Sequence, residues 1–395
     1  MALGDEEMNA AFITDGLLRK SLSTTRALGK QGIRTIVGET SWFSPSGFSR
    51  HCGERLKYPN PKTDSHLFMN WLFELFHQEN RPVFLPMDDR VMEVVMRHRR
   101  EVMEGSKCLL PPKASYDIAS DKYETMKLAN AQDIDCPTTY LANKAGDLTG
   151  ISNTANFPLI IKPLKSSGSR GIRKVTNRDE LLPVFLEIQQ EYSEVLIQEF
   201  IPLGDRYDVC LLYDRNHEVK ASFVQKELRH FPVEMGPSTV QESVIDDDLI
   251  ERSIKLLEPL DWIGIVEVEF MMDSRTNRPI LMEINPRFWN SLDLAVQSGM
   301  DFPYLLYQLC MGEEVPRHTH YEIGRRSRWL FPGDILHFLW NPKRLSMYPP
   351  MLSGKKQKVY DDTFNISDPW PGVIWFLTCF RFLFDGHALR SFIKR

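Results

Sequence analysis

The stretch RPILMEINPRFWN, Arg278 to Asn290, alternates polar and apolar side chains as a β-strand does. Successive side chains of a strand point to opposite faces, so Glu283, Asn285 and Arg287 are predicted to share one face. The same alternation places Leu281 on that side of the strand. The opposite face is predicted to be apolar and consists of Ile280, Met282, Ile284 and Pro286. The polar row raises the question of which ligand needs a carboxylate, an amide and a guanidinium together.

A second alternating stretch, IGIVEVEFMMD, precedes the first and carries Glu267 and Glu269 on one face. The intervening DSRTNRP is rich in turn formers. A hairpin folded about Thr276 would place Glu269 opposite Glu283 and Glu267 opposite Asn285. Clustered carboxylates need a raised pKa or a cation, and oxygen-only ligands suit Mg²⁺. The alternative is an ordinary solvated sheet face, because a slip of one residue in register would undo the pairing.

A basic loop, KSSGSRGI, follows an apolar strand that ends at Lys162. Its glycines, serines and free backbone N–H groups can surround anionic oxygens, and Lys165, Arg170 and Arg173 add positive charge. The spacing differs from GxxxxGK[ST], so the loop is not a P-loop. Taken alone, its alternative explanation is a flexible basic hairpin loop. An acidic oxygen cluster in the same domain favours a Mg²⁺-bridged polyphosphate, and therefore a nucleotide.

The segment VLIQEFIPLGDRYDV offers a third feature of a nucleotide site. An extended linker after the strand would present backbone groups of Gln198, Glu199 and Ile201 to the edge of a base, with apolar side chains on the base faces. A plain strand end is the alternative.

Residues 10–115 alternate strands and helices, which predicts a parallel sheet with right-handed crossovers. Such sheets bind ligands beyond the carboxyl ends of their strands, and this places Asp15, Gly16, Asp88 and Asp89 at the rim. The first strand is not followed by GxGxxG, which argues against a dinucleotide-binding oxidoreductase.

The composition is that of an ordinary globular protein of 395 residues with a formal net charge of −5. That charge gives no reason to expect nucleic acid as a partner. Six scattered cysteines without a CxxC pair, and an acidic start, predict a reduced, cytoplasmic location. The late segment PGVIWFLTCFRFLF is too short to span a bilayer and contains Arg381, so no transmembrane segment is expected. It is interpreted as a buried or partner-facing helix, with a membrane-surface role as the alternative.

Together these motifs, in this order, resemble the ATP-grasp superfamily. The lysine strand, the Gly/Ser loop, QEFI, VEVEF and MEINPR span roughly residues 116–314. The fuller resemblance is to carboxylate–amine ligases and to the ATP-grasp domain of the carbamoyl phosphate synthase large chain. It is carried by SLSTTRALGKQGI, PMDD, SDKYETMKLA, KELRHFP and NPRFWNSLDLAVQSGMDFP.

The resemblance implies a mixed α/β and α+β fold in four parts. A parallel α/β pre-ATP-grasp domain (1–115) would precede two α+β subdomains that clasp ATP. The first of these (116–195) would carry the glycine-rich lid loop and the second (196–314) the metal-binding hairpin. A mainly helical C-terminal extension (315–395) would follow.

Site residues follow from the resemblance position by position. Lys122 and Lys162 would contact the ATP phosphates, and Arg287 would hold the transferred phosphoryl group. The lid would comprise Ser166, Ser167, Gly168, Ser169 and their neighbours up to Gly171. Glu269, Glu283 and Asn285 would hold two Mg²⁺ ions, with Glu283 bridging them and Mn²⁺ as a substitute. The adenine hinge would be Gln198, Glu199 and Ile201.

One position departs from the family pattern. Arg206 stands where an acidic ribose contact is common, so Asp205 or Asp208 would serve instead. Lys226 and Arg229 in QKELRHFP are candidates for binding the substrate carboxylate or the γ-phosphate, with a surface role as the alternative.

The predicted activity is an ATP-dependent ligase that activates a carboxylate as an acyl phosphate and joins it to an amine, releasing ADP and phosphate. The partners would be these two small molecules, and a homodimer is compatible with the sequence. A small-molecule kinase would share every nucleotide-site residue, and a non-catalytic ATP-binding protein is a further alternative. No covalent nucleophile is required, in agreement with the lack of a Ser/His/Asp or Cys/His signature.

Overall fold

The computed structural model of the protein describes residues 10–164, 171–192, 194–233, 236–352 and 359–384, which form three β-sheets flanked by helices. Within these ranges, no helix combines the length and the apolarity needed to cross a membrane. The predicted lid residues Ser166, Ser167, Gly168 and Ser169 lie outside the described residues.

The first sheet is parallel, as the alternation of strands and helices predicts, with strand order β3-β2-β1-β4. Its strands are β1 (Ala11–Ile13), β2 (Thr35–Glu39), β3 (Glu54–Lys57) and β4 (Val83–Leu85). The accompanying helices are α1 (Arg19–Lys30), α2 (Ser65–Gln78), α3 (Asp89–Arg97) and α4 (Arg99–Gly105). Helix α1 is buried along most of its length because it contacts both the first sheet and helices from later in the chain.

The second sheet is antiparallel, with order β5-β8-β6-β7. Its strands are β5 (Thr139–Ala142), β6 (Leu159–Pro163), β7 (Arg173–Val175) and β8 (Val195–Glu199). Helices α7 (Leu148–Thr154) and α8 (Arg178–Gln189) cover it, and their apolar side chains share a core with Ile161 and Ile197. Helices α5 (Lys113–Ser120) and α6 (Lys122–Ala131) precede this sheet, and the Asp121 side chain caps α6.

The third sheet has seven strands in the order β13-β12-β9-β10-β11-β14-β15. They are β9 (Arg206–Tyr213), β10 (Val219–His230), β11 (Ser238–Val244), β12 (Gly264–Met272), β13 (Pro279–Asn285), β14 (Arg326–Arg328) and β15 (Val359–Asp361). All neighbours are antiparallel except β14 and β15. The remaining helices are α9 (Asp247–Leu257), α10 (Leu292–Gln297), α11 (Phe302–Met311), α12 (Ile335–Trp340) and α13 (Trp370–Phe384).

Apolar cores lie on both faces of this third sheet. One face shares a core with α5, α6 and α9. The other packs against α10 and α11 and reaches β1 and β4 of the first sheet. The N-terminal sheet and the seven-stranded sheet are therefore joined through one continuous core, which brings the rim of the first sheet close to the acidic hairpin.

The C-terminal extension contributes two strands to the sheet in addition to helices. Strands β14 and β15 extend the edge beyond β11, and the chain then returns to α1, where Asp362 pairs with Arg19 and Asp368 with Arg26. All four of these side chains are buried. The extension thus completes the third sheet and buries Arg19 and Arg26 on the outer side of α1.

Candidate functional site

The predicted hairpin register is confirmed. Strand β12 pairs with β13 so that Glu269 faces Glu283 and Glu267 faces Asn285. The reversal occurs in the loop 273–278, where Asn277 adopts a positive φ of 54°, a conformation that Asn tolerates better than most residues.

The predicted side of Leu281 is wrong. Phe270 pairs with Leu281 although its neighbour Glu269 pairs with Glu283, so β13 carries an extra residue at Met282. Such a bulge reverses the alternation beyond it. Leu281 therefore joins the core with Ile284, while Met282 packs with a separate small cluster.

Asn285 connects the acidic and basic parts of the cluster. Its amide nitrogen donates to Glu269 at 2.6 Å and to Glu267 at 3.0 Å. Its amide oxygen accepts from Arg287 at 3.0 Å. The side chain thus holds one buried carboxylate, one partly buried carboxylate and one guanidinium in fixed relative positions.

Asp208 enlarges the carboxylate cluster. It lies on β9 opposite Glu269, and carboxylate oxygens of Asp208, Glu267 and Glu269 all lie within 4.8 Å of one another. Burial and the neighbouring carboxylates raise the pKa of Asp208 and of Glu269 well above the usual range. Burial raises the pKa of Glu267 to about 7. A bound cation would relieve this repulsion, and oxygen ligands of this kind suit Mg²⁺.

Two lysines face the cluster from the neighbouring elements. Lys122, at the start of α6, places its Nζ 2.9 Å from Glu283 Oε2. Burial alone would raise the pKa of Glu283, but Lys122 and other cations outweigh it and hold that pKa at about 2. Lys162, at the end of β6, is buried, and burial together with nearby Lys122 lowers its pKa to about 8. A buried ammonium so close to a second one is suited to an anion that contacts both.

Arg287 joins the hairpin to the rim of the first sheet. Its Nε donates to Asp89 Oδ1 at 2.7 Å, while another guanidinium nitrogen reaches Asn285. Burial disfavours its charge, but Asp89 and other carboxylates raise its pKa. Lys20 of α1 completes this corner, donating to the Phe288 carbonyl at 3.0 Å and lying 3.6 Å from Asp88.

The predicted adenine hinge lies at the end of β8. Gln198 donates through Nε2 to Thr139 at 2.7 Å, and Glu199 accepts from Arg275 at 3.3 Å. Ile201 is buried in a small apolar cluster. The other members of this cluster are Met271, Ile280 and Met282. An apolar wall therefore stands beside the hinge, as a planar base requires.

The remaining predicted residues do not all reach the cluster. Lys226 pairs with Asp205 at 2.6 Å. Arg229 is buried away from the hairpin, where it pairs with Asp334 at 2.9 Å and donates to the Pro349 carbonyl at 2.6 Å. Both of these partners of Arg229 belong to the C-terminal extension.

Sequence reasoning missed two contributions to the cluster. Asp208 is predicted, as an alternative to Asp205, for the ribose contact and not for the carboxylate cluster, because its place opposite Glu269 follows from β9 lying beside β12 in the sheet. Lys20 was not singled out at all. The sequence gives no local signal for it, because α1 is buried by contacts with α10 and α11, which lie far along the chain.

Comparison with protein families finds a match to the central part of the chain. A model described as an ATP-grasp domain matches residues 119–291. The chain is 24% identical over 184 residues to the carbamoyl phosphate synthase large chain of Xylella fastidiosa, which covers 44% of this chain and 17% of that protein. It is 25% identical over 189 residues to acetyl-CoA carboxylase 1 of Oryza sativa subsp. japonica, covering 46% and 8%. The chain thus spans less than a fifth of the length of these two relatives.

Solved structures share the fold. The biotin carboxylase domain of Hydrogenobacter thermophilus 2-oxoglutarate carboxylase, solved with MgADP, superposes with a TM-score of 0.68 at 14% identity, over 81% of this chain and 74% of that one. N5-carboxyaminoimidazole synthetase from Staphylococcus aureus, solved with ADP, gives 0.64 at 16% identity over 80% of each chain. An L-amino acid ligase from Bacillus licheniformis gives 0.60 at 12% identity, over 81% and 79%.

Proposed function

We propose, because residues 119–291 match an ATP-grasp domain model, that this protein is an ADP-forming ligase that joins a carboxylate to an amine. The observation that carries the proposal is the meeting of buried and partly buried oxygen ligands with buried and partly buried cations between the second and third sheets. The oxygen ligands are Glu269, Glu283 and Asn285, and the cations are Lys122, Lys162 and Arg287. This combination suits a Mg²⁺-bridged triphosphate.

The nucleotide would lie between the two sheets. Lys122 and Lys162 would bind its phosphates, and the backbone at Gln198 and Glu199 would bind the edge of the base. Ile201 and its apolar cluster would cover one face of the base. The predicted lid, Ser166 to Ser169, would close over the phosphates and keep water from the reaction.

The donor set fits Mg²⁺, with Mn²⁺ as a substitute. Glu269, Glu283 and Asn285 would hold the ions, and the carboxylates of Asp208 and Glu267 would support the site. When bound, Mg²⁺ neutralises phosphate charge during phosphoryl transfer. Asp208 is better suited to this supporting role than to the ribose, which leaves Asp205 as the acidic candidate for the ribose contact.

The chemistry follows from the weak electrophilicity of a carboxylate. Its oxygen would attack the γ-phosphorus and displace ADP, giving an acyl phosphate. An amine would then attack the acyl carbon, phosphate would leave with the C–O electron pair, and the nitrogen would lose a proton. Arg287, fixed by Asp89 and Asn285, would stabilise negative charge on the transferred phosphoryl group. Lys226 and Arg229 stay predictions as substrate contacts.

The test is a screen of ADP release with paired carboxylates and amines, and with hydroxylamine to trap an acyl phosphate. We expect phosphate release to require both substrates and hydroxylamine to capture the acyl group when the amine is omitted. A kinase would instead release a stable phosphorylated product without any amine. A non-catalytic binder would release no ADP with any pair.

Two substitutions probe the site itself. Glu283→Gln and Arg287→Ala should each lower turnover by about 100-fold or more, because the first weakens the binding of the divalent ion and the second removes a cation at the moving phosphoryl group. Matched controls are Glu104→Gln and Arg100→Ala. These two side chains are largely exposed and form only a long ion pair with each other, at 3.8 Å. Near-normal turnover by either site variant would refute the assignment.

A further inference from the structure

His230 and Glu227 form a hydrogen-bonded pair near the end of β10. The imidazole Nε2 lies 2.7 Å from Glu227 Oε2, and the two side chains are 15% and 14% exposed. A carboxylate only accepts hydrogen bonds, so the neutral imidazole carries its proton on Nε2 and donates it to Glu227. Its other nitrogen, Nδ1, then has a lone pair that can accept a proton.

The pair lies on the same face of the third sheet as the carboxylate cluster. Residues that face each other in an antiparallel sheet share a face, and so do residues two apart in one strand. Glu227 is two residues from Gln225, and Gln225 pairs with Asp208. Asp208 in turn pairs with Glu269. After burial, the charge of Glu227 is the largest cause that raises the pKa of Asp208. His230 and Glu227 therefore border the site proposed for the metal and the phosphates.

Contacts from three other elements surround the pair. Arg206 of β9 and Gln241 of β11 lie opposite Glu227, and Arg206 is 3.9 Å from its carboxylate. His337 of α12 donates from Nδ1 to the carbonyl oxygen of His230 at 2.7 Å. Burial lowers the pKa of His337, which favours its neutral form. The titratable groups that face the pair from these elements include Arg206, Asp208 and His337.

Amide formation needs a neutral amine. Alkyl and α-amino groups have pKa values of about 8 to 10 in water, so near pH 7 they are mostly ammonium ions without a lone pair. The negative charges of Glu227 and Asp208 attract such a cation. The ammonium ion cannot attack an acyl phosphate until one of its protons is removed.

We propose that His230, oriented by Glu227, takes this proton from the amine substrate, a role that rests on the ligase function proposed above. An N–H bond of the ammonium ion breaks, its electron pair stays on the nitrogen, and a new N–H bond forms at His230 Nδ1. The amine then attacks the acyl carbon, and the departing phosphate keeps the C–O electron pair and takes the second proton from the nitrogen. Glu227 is a positioning residue that stabilises the imidazolium ion through Nε2. The substrate class is an amine that arrives as an ammonium ion, such as an amino acid or an alkylamine.

Other acidic groups at the site are less suited to accept this proton. Asp89 pairs with Arg287 at 2.7 Å, and Glu283 pairs with Lys122 at 2.9 Å. A carboxylate held by a cation, whether a side chain or a metal ion, is a weaker base. The partly exposed imidazole of His230 combines a lone pair with access for an amine.

The experiment compares two nucleophiles in the full chain, with ATP, Mg²⁺ and the carboxylate that the ADP-release screen selects. Hydroxylamine is largely neutral near pH 7 and needs no base. The second nucleophile is the primary amine that gives the fastest wild-type turnover in that screen. His230→Gln keeps a group that can donate to Glu227 but is not a base. We expect the ratio of amine-dependent to hydroxylamine-dependent turnover to fall about 100-fold or more in this variant.

The pH profile gives a second readout. Without its base, His230→Gln can use only the small fraction of amine that is neutral in solution. Its amine-dependent rate should therefore rise about tenfold per pH unit up to the pKa of the amine, more steeply than the wild-type rate. Glu227→Gln should also lower the ratio, by about tenfold or more, because its amide can donate to Nε2 and move the imidazole proton to Nδ1.

Matched controls are His77→Gln and Glu74→Gln, which change exposed residues of α2 and should keep the wild-type ratio. A wild-type ratio in His230→Gln would overturn the role of His230 and leave the ligase proposal intact. An equal loss with both nucleophiles would also overturn it, because His230 would then serve the first step or the fold and not the amine. If neither hydroxylamine nor any amine supports ADP release in the wild type, the ligase proposal itself fails, and this one fails with it.

Discussion

Asn285 shows how one side chain sets the state of a whole cluster. An amide can donate and accept at once, so it contacts the carboxylates of Glu267 and Glu269 on one side and the guanidinium of Arg287 on the other. An aspartate at this position would add another negative charge to a group whose pKa values burial already raises. The amide nitrogen therefore donates to the carboxylates when no cation is bound, and the amide can rotate so that its oxygen faces a bound cation.

Asp15 gives a pH-dependent prediction at the residue scale. Burial, and then Asp88, raises the pKa of Asp15 to about 7 in the folded state. Its contribution to stability is therefore present below about pH 4 and is lost as the pH rises through 7. Asp15→Asn stays neutral, tolerates the φ of 55°, and can accept from Thr14 as Asp15 does. We expect this variant to melt several kelvin above wild type at pH 8 and close to it at pH 4.

The control is Asp133→Asn, at an exposed position with a φ of 52°. It should follow the wild type at both pH values in a thermal melt. Equal melting temperatures of wild type and Asp15→Asn at pH 8 would show that ionisation of Asp15 does not limit stability.

At the scale of elements, the close approach of the hinge to the hairpin depends on Gly204. A Cβ atom there would lie 2.0 Å from the Met272 carbonyl oxygen, which is backbone and cannot rotate away. Gly204→Ala should therefore displace the end of β12 and lower the free energy of unfolding by about 2 kcal/mol. Gly146→Ala is the control, since a Cβ there meets nothing within 4 Å. Urea unfolding measures both, and equal stability of the two variants would contradict the model of the hinge.

The hairpin could be predicted because its information is local. The period-two pattern of each strand and the turn residues between them set the register that places Glu269 opposite Glu283. The bulge at Met282 could not be predicted in this way, because a simple alternating pattern does not show where a strand carries an extra residue.

Longer-range features were harder to predict. Strands β14 and β15 have three residues each, too few to show a period, and they are defined by pairing of β14 with β11 and of β15 with β14. The burial of Arg229 depends on Asp334, 105 residues later in the chain, and no local pattern links the two. The proximity of Asp208 to the hairpin likewise depends on the order of strands in the sheet.

At the scale of the whole molecule, the C-terminal extension is tied to α1 by buried ion pairs. Asp368 accepts from Arg26 at 2.9 Å and from Ser49 at 2.7 Å. Asp368→Ala would leave the Arg26 charge buried without its carboxylate, so we expect a loss of about 3 kcal/mol in unfolding free energy. The exposed pair of Glu93 and Arg97 supplies the control, and Glu93→Ala should cost about 0.5 kcal/mol or less. Denaturant titration of both variants measures the difference, and similar losses would mean that the extension is not held by this contact.

The most direct measurement is the anomalous diffraction of Mn²⁺ in crystals grown with a non-hydrolysable ATP analogue. We predict Mn²⁺ peaks about 2.1 Å from oxygens of Glu269, Glu283 and Asn285, with the phosphates on Lys122 and Lys162. In that state Lys122 would have left Glu283, its partner at 2.9 Å without ligand. Metal and phosphates bound elsewhere, with the Lys122–Glu283 pair intact, would contradict the account.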